Sequence, residues 1–292
     1  MRNFLLGLAL SLSLALGAAH VAAQSTAPQQ KAAASRAEMP RAAAKRRAPA
    51  SPPTLARIER SGVLRVGIAI NAPWVMHDKQ GRPMGYSVDV AERLSKAMGW
   101  KLQLVETSWP RLLAGLRSND YDVVISGLSI TPQRARFVQF SDALGAFDVD
   151  VVVSRTSLPE GGLAELGKLA QARIGALAGT VTAEVARGAM PTAQLVELES
   201  EDAAIAALRE GRLAALVAEA PLPLALARAH PEQLRVLDGA PLARTAHGLA
   251  LRVGDDGLLR VLNAWITFER TSGWLDARSA YWFEGTDWGS RL

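Results

Sequence analysis

Twice along this chain, short unbroken apolar runs alternate with segments whose apolar residues recur every three or four positions. Leu64 to Ile70 is a run of strand length ending at Asn71-Ala-Pro73. A turn at Asp78-Lys-Gln-Gly-Arg-Pro83 leads into Gly85 to Met98, where Val88, Ala91, Leu94 and Met98 share a helical face. Asp89 and Glu92 suit the N-terminal half of that helix dipole. Lys101 to Val105 predicts a second strand, Trp109 to Arg117 a second helix, and Tyr121 opens a third strand. Strands apolar on both faces need cover on both sides, so this order predicts an open α/β sheet with helices on each face. Ligands of such sheets bind beyond the carboxyl ends of the strands. Asn71, Trp74, Trp109 and the stretch Ser126 to Arg134 all follow strands and are expected to meet at that edge.

The stretch from Asp122 to Arg134 concentrates the chemistry. Val123, Val124 and Ile125 read as a short buried strand running into small residues. Thr131 is a good N-cap, and Pro132 suits the first helical position, where its missing N–H costs nothing. Ser126, Gly127 and Ser129 offer hydroxyls and close backbone approach just before that helix, and Arg134 lies in its first turn. A strand end, exposed donors and a guanidinium suit a carboxylate. The same spacing also suits a plain capped helix with a surface arginine.

Phe147 to Val153 is long enough to cross between two lobes, and beyond it the alternation repeats on a smaller scale. Strands are expected at Arg173 to Leu177, Ala193 to Leu198 and Leu213 to Val217, the last running on to Glu219. Helices are expected at Ala183 to Arg187 and Glu201 to Glu210. His247 to Val253 predicts a strand that crosses back, followed by a helix from Leu258 to Thr271. Trp274, Trp282 and Trp288 are expected to cover apolar surface there. The expected architecture is a hinged α/β clamshell with two crossing segments: residues 54–147 and 247–292 form one lobe, and 148–246 form the other.

The first 53 residues are a different polymer. Met1 to Ala23 has one basic residue, an apolar core and the small-residue end Val21-Ala-Ala23, the pattern of a cleaved secretory signal. Residues 24–53, rich in Ala, Pro, Gln and Lys/Arg, lack the large apolar residues that offset ordering entropy and read as a disordered linker. Residues 1–53 carry seven Lys/Arg against Glu38 alone. The whole chain has a net charge of +5, so the remainder is near −1 and the basic pI is no argument for nucleic acid. No cysteine is present, which removes disulfides, thiolate metal sites, cysteine nucleophiles and a lipid-attachment cysteine. An exported, periplasmic monomer without a lipid anchor is the expectation.

Ser126-Gly-Leu-Ser-Ile-Thr-Pro-Gln-Arg134 resembles the signature of solute-binding protein family 3, the periplasmic amino-acid-binding components of ABC importers, and the resemblance runs from about Leu55 to about Trp288. Gly179-Thr180 resembles the family's turn on the second lobe. Gly211 to Glu219 resembles the segment whose terminal acid accepts the ligand ammonium. The resemblance implies that Arg134 grips an α-carboxylate, with Ser126, Gly127 and Ser129 adding hydrogen bonds and Thr180 donating from the other lobe. It implies that Glu219 takes the ammonium and that Trp109 stands at a position holding a bulky side chain against the ligand; Asn71 departs from the aromatic that often stacks there, with Trp74 close enough to compensate. An inner-membrane permease is the implied partner. A buried zwitterion needs an opposite charge at each end, and drawing those charges from separate lobes makes closure depend on the ligand. Ile68-Ala-Ile70 lacks the acid that members taking cationic amino acids carry at that strand end, which implies a neutral or apolar ligand side chain.

Thr54 to Arg65, Thr107-Ser-Trp-Pro110 and His230-Pro-Glu232 also resemble the family's periplasmic cyclohexadienyl dehydratases, which convert prephenate or arogenate. Such enzymes need a proton donor with a lysine near it, because hydroxide leaves only with acid help. The matching positions hold Val149 and Leu222, which cannot transfer a proton. A binding protein is therefore expected rather than an enzyme. A ligand-sensing domain serving a separate receptor would use the same pocket. His77, His230 and His247 have no metal-ligand spacing, so neither metal nor cofactor is expected. No phosphate loop, dinucleotide fingerprint or nucleophile elbow occurs. Asp148 and Asp150 share one face of a strand and suggest a hinge ion pair or a solvated face.

Overall fold

Gly67, in the middle of the first strand, sits between two parallel partners. In the computed structural model, Val63–Ile68 pairs with Lys101–Glu106 on one side and Val123–Val124 on the other, both in parallel. The structure describes residues 53–169, 171–239 and 241–285. The expected signal segment, nearly all of the linker and Trp288 lie outside the described residues. The sheet continues through Ala250–Leu251 to Gln139–Phe140, both antiparallel, giving five strands. Tyr86–Met98 and Trp109–Arg117 are the crossover helices, as their periodicity predicts. Ile58, Leu64, Val66, Leu94, Leu262 and Trp282 fill one face. Leu112, Leu116, Tyr121, Val124 and Leu128 fill the other.

The second sheet is built on one long strand, Gly145–Ser154. Its valines alternate between two cores, with Val149, Val151 and Val153 to one side and Val152 to the other, as a period of two requires. Ala215–Glu219, Arg173–Leu177 and Gln194–Leu198 follow in that order, and Leu234–Val236 pairs on the far side of the long strand. The helices Val181–Ala189 and Glu201–Arg209 follow the strands Arg173–Leu177 and Gln194–Leu198. Both sheets lie in one unit, Ala50–Leu292, and make a two-lobed α/β molecule.

The return crossing differs from the expected strand His247 to Val253. Ala243–His247 pairs antiparallel with the first half of the long strand, from Ala243 opposite Val149 to His247 opposite Gly145. The chain then breaks at Gly248, and Ala250–Leu251 enters the first sheet. Gly248 is small for a reason: a Cβ there would lie 2.9 Å from Ile130 Cδ1. The two crossing strands are tied by Arg244 Nη1 donating to Asp148 Oδ1 at 2.9 Å, the hinge ion pair anticipated for that acid. Trp282 is fully buried, and its indole N–H donates to Asp89 at 2.6 Å. Among the described residues, no helix is long and apolar enough to cross a membrane.

Candidate functional site

Thr131 caps the short helix Pro132–Ala135 as its sequence predicts, its hydroxyl accepting from Arg134 N at 3.2 Å. That cap fixes Arg134 in the first turn and turns its side chain inward, where it is 8% exposed. Nη1 donates to the Ser129 carbonyl at 2.9 Å, and Nη2 crosses to the other lobe to donate to the Gly179 carbonyl at 3.1 Å. Burial holds the Arg134 pKa below its ordinary value, while Glu184 and Glu219 pull it back up. A guanidinium that has lost most of its water and spends only part of its fork on carbonyls is ready for an anion.

The cavity between the lobes is lined by seven of the nine residues expected at a ligand: Asn71, Trp109, Gly127, Ser129, Arg134, Thr180 and Glu219. Trp109 is anchored by its indole N–H donating to the Ile70 carbonyl at 3.0 Å. The remaining wall is largely apolar, from Leu177, Val181, Ala204, Leu216 and Leu222.

Trp74 and Ser126 do not line this cavity. The turn at Asn71 closes on itself with paired Asn71–Val75 backbone bonds, and of its residues Asn71 reaches the cavity while Trp74 does not. Trp74, 1% exposed, joins a ring cluster with Phe147 at 5.3 Å and Phe283 at 4.9 Å. The Ser126 hydroxyl accepts from Ala69 N at 2.8 Å and donates to Ala69 O at 3.0 Å. It thereby satisfies backbone groups where the strand ladder ends.

Two further residues of the set already have partners within the protein. The Thr180 hydroxyl is already engaged, donating to the Leu177 carbonyl at 2.6 Å and lying 2.7 Å from Thr182 Oγ1. What it leaves open is the N-terminus of the helix Val181–Ala189, which has no side-chain cap. Glu219 is also partnered within the protein. Its Oε1 accepts from Thr245 at 2.8 Å, lies 2.8 Å from His247 Nε2, and is 3.4 Å from the Ser129 hydroxyl. His247, 2% exposed, is the packed neighbour of Glu219, and the strands of both pair with Gly145–Ser154.

Glu201 is the cavity residue that sequence reasoning missed. Ser200 caps its helix, and an acid in the first turn reads as an ordinary dipole partner. In three dimensions its Oε2 accepts from Ala72 N of the opposite lobe at 2.8 Å. Burial raises the Glu201 pKa to about 7; the Ala72 N–H works against the rise, and Asp202 and Glu219 add to it.

Gly127 explains how tightly this edge is set. Its φ of +62° is in the left-handed region, and a Cβ there would sit 2.5 Å from the Trp74 ring. Gly127→Ala is expected to cost roughly 1–3 kcal/mol, because the packed ring cannot withdraw. A thermal melt unchanged from the parent protein would contradict this.

Residues 64–285 match the family model of the bacterial extracellular solute-binding proteins, family 3. The chain is 27% identical over 230 residues to the L-cystine-binding protein TcyJ of Escherichia coli (strain K12), a match covering 78% of this chain and 85% of that protein. It is 28% identical over 233 residues to the cyclohexadienyl dehydratase of Pseudomonas aeruginosa, covering 79% of this chain and 86% of the enzyme. Among solved structures, the ancestral amino acid-binding protein AncCDT-1, a precursor of cyclohexadienyl dehydratase, aligns with a TM-score of 0.72 at 28% identity. That match covers 80% of this chain and 100% of the other.

Proposed function

Because the chain belongs to family 3 of the bacterial extracellular solute-binding proteins, we propose that it captures a small amino acid or related carboxylate between its lobes for delivery to an inner-membrane ABC importer. The observation that carries this reading is Arg134. It is a buried guanidinium at the cavity wall, bonded to one carbonyl from each lobe and facing the uncapped N-terminus of the helix Val181–Ala189. Both features favour a carboxylate. The ammonium falls to Glu219, whose Oε1 is held by Thr245 and His247. Asn71, Trp109, Gly127, Ser129 and Thr180 complete the contact set. The protein acts in the periplasm, reached through a cleaved leader, and works as a monomer.

Binding is favoured over turnover by Leu222, an apolar side chain on the cavity wall where the dehydratase resemblance calls for an acid. An enzymatic reading stays in the test because Glu201, a carboxyl that burial holds above its ordinary pKa, lines the same cavity and suits a general acid.

A thermal-shift screen tests both readings. The protein is unfolded and refolded to strip carried ligand, then offered the standard amino acids, small dicarboxylates and prephenate. A ligand present at about a hundred times its Kd adds about 2.7 kcal/mol. Shifts with amino acids are expected. A shift with prephenate alone, followed by turnover in a direct assay, would replace binding by dehydration.

A further inference from the structure

Three charged side chains line the cavity, and their sum is negative: Arg134 against Glu201 and Glu219. An α-carboxylate on Arg134 and an α-ammonium on Glu219 consume one charge of each sign and leave Glu201. The hydrogen bond the structure gives Glu201 is the single one from the Ala72 amide. Its charged surroundings offer little else. Asp202 on its own helix and Glu219 on the neighbouring strand are both acids. Across the gap, the Asn71–Val75 turn presents a neutral side chain and backbone. Arg134, on the helix Pro132–Ala135, is the only cation lining the cavity among the described residues, and it is committed to the carboxylate. His247 stands behind Glu219 and is bonded to that acid.

A half-buried carboxylate without a counter-charge is stabilised by taking up a proton or by meeting a cation. The rest of the cavity wall is largely apolar, formed by Leu177, Val181, Ala204, Leu216 and Leu222. Apolar wall followed by acid is the surface that fits a methylene stem ending in a charged nitrogen.

We propose that Glu201 determines side-chain specificity, selecting amino acids whose side chain ends in an ammonium or guanidinium. This rests on the amino-acid reading of the cavity. It replaces the neutral or apolar side chain expected from Ile68-Ala-Ile70, because the acid comes from the second lobe, on a helix far along the chain. The Ala72–Glu201 bond gives the choice a consequence for closure. A cation on Glu201 neutralises the group that joins the lobes, whereas an apolar side chain leaves it without a counter-charge.

Calorimetry with L-lysine, L-arginine and L-norleucine tests this on the purified, ligand-stripped protein. Lysine and norleucine share a stem of equal carbon count and differ by the terminal amine. Lysine or arginine is expected to bind about tenfold or more tighter than norleucine, a difference of about 1.4 kcal/mol. Glu201→Gln is expected to narrow that ratio to about threefold or less, with a thermal melt confirming that the variant is folded.

The sign of the pH dependence is a second readout. Raising the pH from about 6 to about 8 removes the Glu201 proton, so the preference for the cationic ligand should grow with pH in the parent protein. That growth should vanish in E201Q. A pH dependence that survives in E201Q overturns the assignment, as does norleucine binding as tightly as lysine and arginine in the parent protein. Should E201Q fail to fold, the parent's preference and its pH dependence decide the matter. Silence with all three ligands and with the wider amino-acid panel would overturn the underlying reading as well. Binding confined to neutral amino acids overturns the role of Glu201 alone.

Discussion

Arg134→Ala is expected to weaken ligand binding by roughly 2–5 kcal/mol in calorimetry, because it leaves a buried carboxylate without its partner. The loss has two sources. The ligand forfeits a charge-assisted bond to a buried guanidinium, and the lobes forfeit the bond from Nη2 to the Gly179 carbonyl. Arg134→Lys separates them. A lysine keeps the charge but cannot span two carbonyls and a carboxylate with one planar fork. It should recover part of the affinity and little of the interlobe bond. Near-unchanged affinity in the alanine variant would show that the carboxylate lies elsewhere.

Asp122→Ala should produce the largest loss of fold stability, roughly 3–5 kcal/mol in denaturant unfolding, since it strips a buried charge from its partners. The Asp122 side chain is fully buried. It accepts from Arg65 N at 2.8 Å and from Arg65 Nη2 at 2.8 Å, and it bonds to Arg57 Nη2. Arg252, whose Nη1 holds the Tyr121 carbonyl at 2.7 Å, lies 4.0 Å away. One carboxylate thus joins the helix Thr54–Ser61, the first strand, and the segment following Ala250–Leu251. Removing it leaves three partly buried guanidinium groups facing one another. An unfolding free energy within about 1 kcal/mol of the parent would mean that these arginines reach water easily, and would sink the argument.

Asp122 also marks the boundary of what sequence could supply. Its neighbours Val123 to Ile125 announce a buried strand through composition, and Thr131-Pro132 announces a helix start through capping chemistry; both signals are local. Arg57, Arg65 and Arg252 stand up to 130 residues from Asp122, and no period or spacing links them to it. The candidate site divides in the same way. Arg134, Ser129 and Gly127 were legible because they stand close together on one strand end and one cap. Trp74 was misplaced because a strand-end position gives distance to the site but not side-chain direction. Within the turn that closes between Asn71 and Val75, Asn71 lines the cavity and Trp74 packs against Phe147 and Phe283. Glu201 was overlooked because its local role, an acid in the first turn of a capped helix, is complete by itself. Only the approach of Ala72 from another lobe gives it a second one.

The paired strands Gly145–Ser154 and Ala243–His247 also determine how the two halves can move. Two chains laddered side by side and pinned by Arg244 and Asp148 form a narrow strip. Such a strip flexes easily out of its own plane and strongly resists sliding of one edge past the other, since sliding would break every rung. Motion between the halves therefore has one soft direction and several stiff ones. A motion confined to the soft direction would bring Gly179 to Arg134 and Ala72 to Glu201 along one arc. Alignment is supplied by the strip, and the captured molecule has only to decide whether the arc ends open or shut.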